Sequence, residues 1–193
     1  MDFVYEIPNN LSDEKCEELI KRFEANPSKK PGIVGLQRKI NSVKRSLDLP
    51  ISSQKEFKDI DEYLHTQLGE GIKKYCEHVK CGIVDDMFIN SHDSGYQMQK
   101  TEIGDFYSWH DDSMMTSGRF MTFLWYLTSH DPITHGGGTA IHKKAGDGGK
   151  IIAPERGKLL LFPATWTYIH MGLPLIRGDP KYICTGWIHD DRK

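Results

Sequence analysis

The sequence predicts an α+β fold in which helices come first and a barrel or jelly roll of short strands follows. Three observations support it. Two amphipathic stripes with helical period lie before about residue 80, short strands separated by Gly, Asp, Ser and Pro begin after Cys81, and no apolar run reaches the ~18 residues of a membrane span. At 193 residues the chain can bury a substantial core, and a hydrophobic content of 38% suits a water-soluble protein.

In chain order, residues 3–7 alternate enough for a short strand. Ser12, Asp13 and Glu14 then open a helix in which Cys16, Leu19, Ile20 and Phe23 recur on one face, and Pro27 ends it. From 26 to 50 the composition of Lys, Arg, Gly and Ser suggests a long loop or irregular hairpin, whose basic part, 29–45, is expected to be solvated. Ser53 and Glu56 form the pattern of a capping box for a longer helix, with Phe57, Ile60, Leu64, Leu68, Ile72 and Tyr75 on its stripe. Gly69 and Gly71 are expected to weaken its second half. No helix is expected after Cys81. Candidate strands are 95–101, 106–110, 119–127, 139–142, 150–153, 158–162, 167–170 and 181–188, a spacing that argues for a barrel or jelly roll. With no repeat, low-complexity tract or linker, 1–193 reads as one domain, 1–80 being a helical buttress and loop and 81–193 the core.

Composition excludes several classes. A formal charge of −2 leaves no electrostatic footprint for nucleic acid. The start of the chain is neither basic nor followed by a long apolar stretch, so neither a secretory signal nor a membrane partner is expected, and the cytoplasm is the expected location. Cys16, Cys76, Cys81 and Cys184 lack C-x-x-C spacing and fit a reduced compartment.

The chemistry concentrates around Tyr107-Ser-Trp-His110-Asp-Asp112 and the remote His170. His-x-Asp followed by a distant His supplies two imidazoles and a carboxylate to one face of a metal and leaves the other face open, the arrangement of a mononuclear iron(II) site. The same spacing recurs in His189-Asp190-Asp191, but nothing follows it to supply a third ligand, and a solvated tail is expected there. His130, His135 and His142 crowd a glycine-rich loop and are expected to be exposed rather than a second metal site.

Period-two alternation decides which side chains share a cavity. Over 181–187, Lys181, Thr185 and Trp187 share a face; over 119–127, Phe120, Thr122, Leu124 and Tyr126 share one and Met121, Phe123, Trp125 and Leu127 the other. That second strand is apolar on both sides, as a covered central strand should be. A buried lysine needs an anion, and an iron(II) held by two neutral imidazoles and one carboxylate keeps about one positive charge and two or three open positions. Such a site favours an anionic, chelating co-substrate whose far carboxylate meets Lys181 and the Tyr126 hydroxyl.

His110-x-Asp112, Arg119-x-x-Thr-x-x-x-Tyr126-Leu127, Gly136-Gly-Gly-Thr139, Gly157-Lys-Leu-Leu-Leu-Phe162-Pro163, His170-x-Gly172-x-Pro174 and Gly178-x-x-Lys181-Tyr182 through Trp187 stand in that order. Together they resemble the iron(II) and 2-oxoglutarate dependent oxygenases of the prolyl 4-hydroxylase branch, over about 96–188. The resemblance implies a double-stranded β-helix. It implies that His110, Asp112 and His170 bind iron(II), that Lys181, Tyr126 and Thr185 line the 2-oxoglutarate pocket, and that Tyr107, Arg119 and Trp187 contact substrate. It also implies dioxygen as a reactant and admits ascorbate. Thr101 stands where many relatives have tyrosine, and Gly138 where an acidic residue is common. Asp179-Pro180 adds a residue before Lys181, which leaves Arg177 as a rival anchor for the carboxylate.

The activity so implied is hydroxylation of an unactivated C–H bond, with release of succinate and CO2. Asp112 fills the position that is small in halogenating relatives. Peptidyl proline is the expected substrate, with a peptide or protein partner under the basic loop. The alternatives are a free amino acid or other small molecule as substrate, or a catalytically silent jelly-roll binding protein.

Overall fold

The computed structural model describes residues 2–34, 41–113, 118–141 and 149–191. In chain order these form β1 (Tyr5–Ile7), α1 (Asp13–Ala25), β2 (Lys30–Pro31), β3 (Leu47–Pro50), α2 (Lys58–Val79), α3 (Gly82–Ile89) and β4 (Ser91–Asp93). There follow β5 (Gln97–Thr101), β6 (Tyr107–His110), β7 (Arg119–Tyr126), β8 (Thr139–Ile141), β9 (Lys150–Ile152), β10 (Leu159–Pro163), β11 (His170–Gly172) and β12 (Lys181–Asp190). The larger sheet has the order β1-β10-β7-β12-β5-β3-β2, with β4 also on β12; the smaller is β6-β11-β8-β9. All their ladders are antiparallel. Two such sheets with helices on one side make the α+β jelly roll, a double-stranded β-helix.

Alternation explains why β7 is central. Phe123, Trp125 and Leu127 join Leu159, Leu161 and Cys184 in a core shared with Leu19 and Phe23 of α1 and Leu64, Leu68 and Tyr75 of α2. Leu124 and Tyr126 turn the other way, into a second core with Ile141, Ile152, Leu160, Phe162 and Ile183 between the sheets. The buried Trp125 indole donates to Asn10 Oδ1 at 2.6 Å, which removes the cost of an unpaired polar group.

Ser12 caps α1 as its sequence predicts, its Oγ accepting from the Lys15 N–H. The capping box at Ser53 does not form. Residues 51 and 52 are drawn to the sheet, where the Ile51 N–H donates to Tyr96 O and Ser52 Oγ accepts from the Tyr96 N–H, and Glu56 accepts instead from Asn26. The chain passes through a 3-10 turn at Lys55–Phe57 before α2 begins at Lys58 with no side-chain cap.

Gly69 and Gly71 have opposite meanings. A Cβ at Gly71 would stand 2.4 Å from Leu159 Cδ2, so glycine lets α2 lie against the sheet, whereas nothing lies within 4 Å of one at Gly69. Gly71→Ala is expected to destabilise, since overpacking costs about 1–3 kcal/mol against roughly 1 kcal/mol gained in helix propensity. Gly69→Ala is expected to stabilise by up to about 1 kcal/mol. Urea unfolding of both variants tests this, and a gain at Gly71 would show that the sheet moves aside.

Three further expectations need correction. Residues 82–89 form a third helix; none of its residues is buried, so it carries little periodic signal. The strand expected over 167–170 begins only at His170, because Trp166–Tyr168 make a 3-10 turn. The expected tail at His189 and Asp190 is the end of β12, paired with His92 and Ser91. The last residue of the strand expected over 139–142 and part of the loop at 26–50 lie outside the described residues.

The basic segment is not wholly solvated. The Arg45 N–H donates to Phe106 O at 2.9 Å and the Ser108 N–H to Val43 O at 2.8 Å, so 43–45 pair with the smaller sheet, while β3 immediately afterward pairs with β5 of the larger. Lys44 is 4% exposed and donates to Asp48 Oδ2 at 2.7 Å. One strap therefore ties the two sheets along one side of the cavity between them. Among the described residues, no helix is long and apolar enough to cross a membrane.

Candidate active site

β6 and β11 lie side by side in the smaller sheet, with His110 directly opposite His170, and Asp112 follows two residues after His110. Their rings are 4.1 Å apart between centroids. His110 Nε2 lies 3.8 Å from Asp112 Oδ1 and His170 Nε2 3.3 Å from Oδ2, and one ligand atom from each residue falls within 4.8 Å of the others. Each imidazole donates its Nδ1–H to a backbone carbonyl, His110 to Ser108 O at 2.7 Å and His170 to Tyr168 O at 3.1 Å. A carbonyl only accepts, so each ring is held in the tautomer that aims an Nε2 lone pair inward.

The electrostatics suit a cation. Burial, and then the nearby His170, push the His110 imidazole down to about 4, so it is neutral at pH 7. Burial pushes the Asp112 carboxyl up, but His170, His110 and the Thr122 hydroxyl outweigh it and hold the group below the usual carboxylate range. Two neutral imidazoles and an ionised carboxylate with an open side fit a divalent transition metal such as iron(II).

A second group of residues opens on the same cavity from the larger sheet. Lys181, at the start of β12, is 4% exposed, and its Nζ donates to Gly137 O at 2.5 Å and lies 5.6 Å from the Tyr126 ring centroid. No carboxylate pairs with it among the described residues, and burial pushes its ammonium down to about 8. Gly136 adopts φ 75°, and a Cβ there would stand 2.2 Å from Pro174 O; this close turn brings the Gly137 carbonyl to Lys181. The Tyr126 hydroxyl is committed to Thr139 Oγ1 at 2.7 Å and the Thr185 hydroxyl to Phe123 O at 2.7 Å. Thr185 and Trp187 line the cavity beside Lys181, as alternation requires, while Tyr126 lies fully buried beneath it. Arg177 is exposed in the turn before β12 and does not line the cavity.

The mouth owes its geometry to a bulge. Between Ile188 and His189 the register of β12 on β7 shifts, so Ile188 faces Met121 and His189 faces Arg119. Phe120 accordingly packs on Phe88 toward the helices, against its expected face, and the Arg119 guanidinium lies 3.7 Å from the Trp187 ring centroid. A bulge re-aims the side chain after it. Arg119 Nε and Trp187 Nε1 are buried with no acceptor among the described residues. Tyr107 stacks on His110 with centroids 3.5 Å apart.

Seven of the nine predicted site residues line one cavity, while Tyr126 lies beneath it and Arg119 reaches it only through its stack on Trp187. Two neighbours escaped the sequence reading. Thr122 donates to Asp112 Oδ2 at 2.7 Å, and its signal was a hydroxyl in an apolar strand on the face of Leu124 and Tyr126. Lys44 lies over the Tyr107 ring at 5.2 Å, and nothing local announces it because the strap brings it there. His130, expected to be exposed, is buried and His135 half-buried; they face each other outside this site, while His142 lies outside the described residues. Among those residues, the one His/Cys/Asp/Glu cluster able to hold a metal is His110, Asp112 and His170.

The family model described as the 2OG-Fe(II) oxygenase superfamily matches residues 96–189, the stretch that holds all of these ligands. Over that stretch the chain is a 2OG-Fe(II) oxygenase domain. As such it is a 2-oxoglutarate-dependent dioxygenase using iron(II), 2-oxoglutarate and dioxygen. Among solved structures it is similar to a prolyl hydroxylase from Trichoplax adhaerens in complex with a hypoxia inducible factor oxygen degradation domain peptide fragment. That likeness has a TM-score of 0.78 at 18% identity and covers 99% of this chain and 85% of that one. A prolyl-4-hydroxylase from Pseudomonas putida matches with TM-score 0.71 at 16% identity, over 96% and 92% of the two chains. The 2OG complex of a viral collagen prolyl hydroxylase from Paramecium Bursaria Chlorella virus-1 gives 0.66 at 16%, over 99% and 97%. At these identities the likeness is one of fold. No curated protein matches the chain by sequence.

Proposed function

We propose that this dioxygenase hydroxylates an unactivated C–H bond of a prolyl residue in a peptide or protein, the whole of 1–193 acting as one domain. The supporting observation is the pair of buried donors at the mouth, Arg119 Nε and Trp187 Nε1, which have no acceptor among the described residues. Buried donors without acceptors are costly, and a substrate carbonyl supplies what they lack. A peptide presents carbonyls on either side of each residue, and the Trichoplax prolyl hydroxylase of like fold is described with a peptide bound.

Bound at this site, iron(II), 2-oxoglutarate and dioxygen supply the oxidising chemistry, in which the oxoacid becomes succinate and CO2 and the C–H bond becomes C–OH. The protein's part is positioning. His110, Asp112 and His170 hold the metal, and Lys181 holds the far carboxylate of 2-oxoglutarate, exchanging a lone carbonyl partner for an anion. The Gly137 carbonyl and the Tyr126 ring keep Lys181 aimed. Tyr107 and the Arg119–Trp187 stack form the wall against which the substrate lies.

The test is succinate formation with and without proline-containing peptides, against free proline and other free amino acids. Stimulation by peptides alone is expected; stimulation by a free amino acid alone would assign the site to small molecules. In the same assay Arg119→Ala is expected to reduce substrate hydroxylation more than 2-oxoglutarate binding. Equal losses of the two would give Arg119 a structural role.

A further inference from the structure

Thr122 is a polar side chain on the central apolar strand, 3% exposed and directly opposite Trp187. Its Oγ1 donates to Asp112 Oδ2 at 2.7 Å. Thr122 comes from the middle of β7 in the larger sheet, and Asp112 from the turn that follows β6 of the smaller. The hydrogen bond therefore fixes the carboxylate relative to the opposite wall of the cavity.

That matters because aspartate χ2 is a broad, soft torsion, and Asp112's own covalent structure does not set the plane of its carboxylate. Left to rotate, a carboxylate can offer a metal both oxygens. The Thr122 bond commits a lone pair of Oδ2 and so the plane of the group. With the plane so fixed, Oδ1 lies 3.8 Å from His110 Nε2 and Oδ2 3.3 Å from His170 Nε2. A six-coordinate ion that takes two imidazoles and one carboxylate oxygen keeps three positions open, while a bidentate carboxylate leaves two. A chelating oxoacid and dioxygen together need three.

We propose that Thr122 is a positioning residue: its hydroxyl holds the plane of the Asp112 carboxylate and, with it, the number of oxygens that Asp112 offers the metal. This rests on the metal assignment made above. Its removal is expected to disturb metal binding although Thr122 is not one of the donors that cluster for a metal. Partners that orient a metal ligand typically change metal affinity about tenfold to a hundredfold when removed.

Cobalt(II) titrated into the metal-free protein is the probe, because the intensity of its visible absorption reports coordination number and needs no turnover. Thr122→Val, nearly the same shape without the hydroxyl, is expected to weaken cobalt(II) binding about tenfold to a hundredfold and to alter the band intensity. Thr122→Ser is expected to keep parent-like affinity and spectrum, and Thr122→Ala to lose both. The serine and alanine pair isolates the hydroxyl even if the valine variant does not fold, and circular dichroism reports folding for each. Parent-like binding and spectra in the alanine variant would overturn the role, as would equal loss in serine and alanine, which would point to the methyl group. A parent that bound no cobalt(II) would overturn the metal assignment and this role together. A parent that bound it while His110→Ala did not would sustain that assignment whatever the Thr122 variants showed.

Discussion

Replacing Lys181 by alanine is expected to raise the apparent constant for 2-oxoglutarate by at least about thirty-fold while leaving metal binding nearly intact. The magnitude follows from burial: losing one partner of a buried, hydrogen-bonded charge pair costs about 2–5 kcal/mol. Lys181 is 4% exposed on the larger sheet, while the metal cluster is carried by β6, the turn after it and β11. Arg177→Ala is expected to change the constant only a few-fold, through screened, long-range attraction from an exposed turn. A 2-oxoglutarate titration of both variants decides, and the reverse ranking would make Arg177 the anchor. The pH dependence has a definite sign. Burial holds the Lys181 ammonium near 8 in the free protein, so affinity for the dianion should fall as pH rises above about 8. Its folded value lies below the ordinary lysine value of 10.5, so the free protein should gain stability between about 8 and 10.5, where the unfolded chain binds more protons.

His110→Ala, Asp112→Ala and His170→Ala are each expected to abolish metal-dependent turnover, whereas His189→Ala should leave it. The contrast is useful because both histidine–aspartate repeats are ordered. His189 lies on the larger sheet with its ring stacked on that of His92 at 5.3 Å between centroids, outside the cluster of donors that could hold a metal. Calorimetry with manganese(II), alongside succinate measurement, separates loss of metal from loss of turnover. An inactive His189 variant with an active His110 variant would reverse the assignment.

The site was legible in the sequence to the extent that its residues sit on regular strands. Alternation along β12 was enough to place Lys181, Thr185 and Trp187 on one wall, and alternation along β7 to separate Trp125 from Tyr126. It failed at Phe120 because the ladder carries a bulge there, and a bulge leaves no mark in hydrophobic periodicity. The third helix was hidden for the opposite reason. Its Ile83 and Ile89 are 73% and 76% exposed, so its apolar residues do not define a buried stripe. The capping box at Ser53 was a sound local signal overridden by tertiary contacts, since Ser52 and Glu56 found partners elsewhere. Lys44 could not have been found at all, because its partner Asp48 and its neighbour Tyr107 come together only when the strap closes.

That strap also bears on which oxoacids the enzyme can take. The metal cluster is carried by the smaller sheet and its turn and Lys181 by the larger, so a co-substrate held at one end by each, as proposed above, would span the gap between the sheets. Apolar packing holds two sheets together strongly but without direction, and it permits sliding. Residues 43–50 resist sliding: hydrogen bonds to β6, the buried Lys44–Asp48 pair and the β3 ladder on β5 form one continuous tie. The tie works as the frame of a caliper. With Lys181 as the proposed anchor, a diacid shorter than 2-oxoglutarate is expected to bind more weakly, and selectivity by length is expected to depend on the strap, whose Lys44, Arg45 and Ser46 line the same cavity.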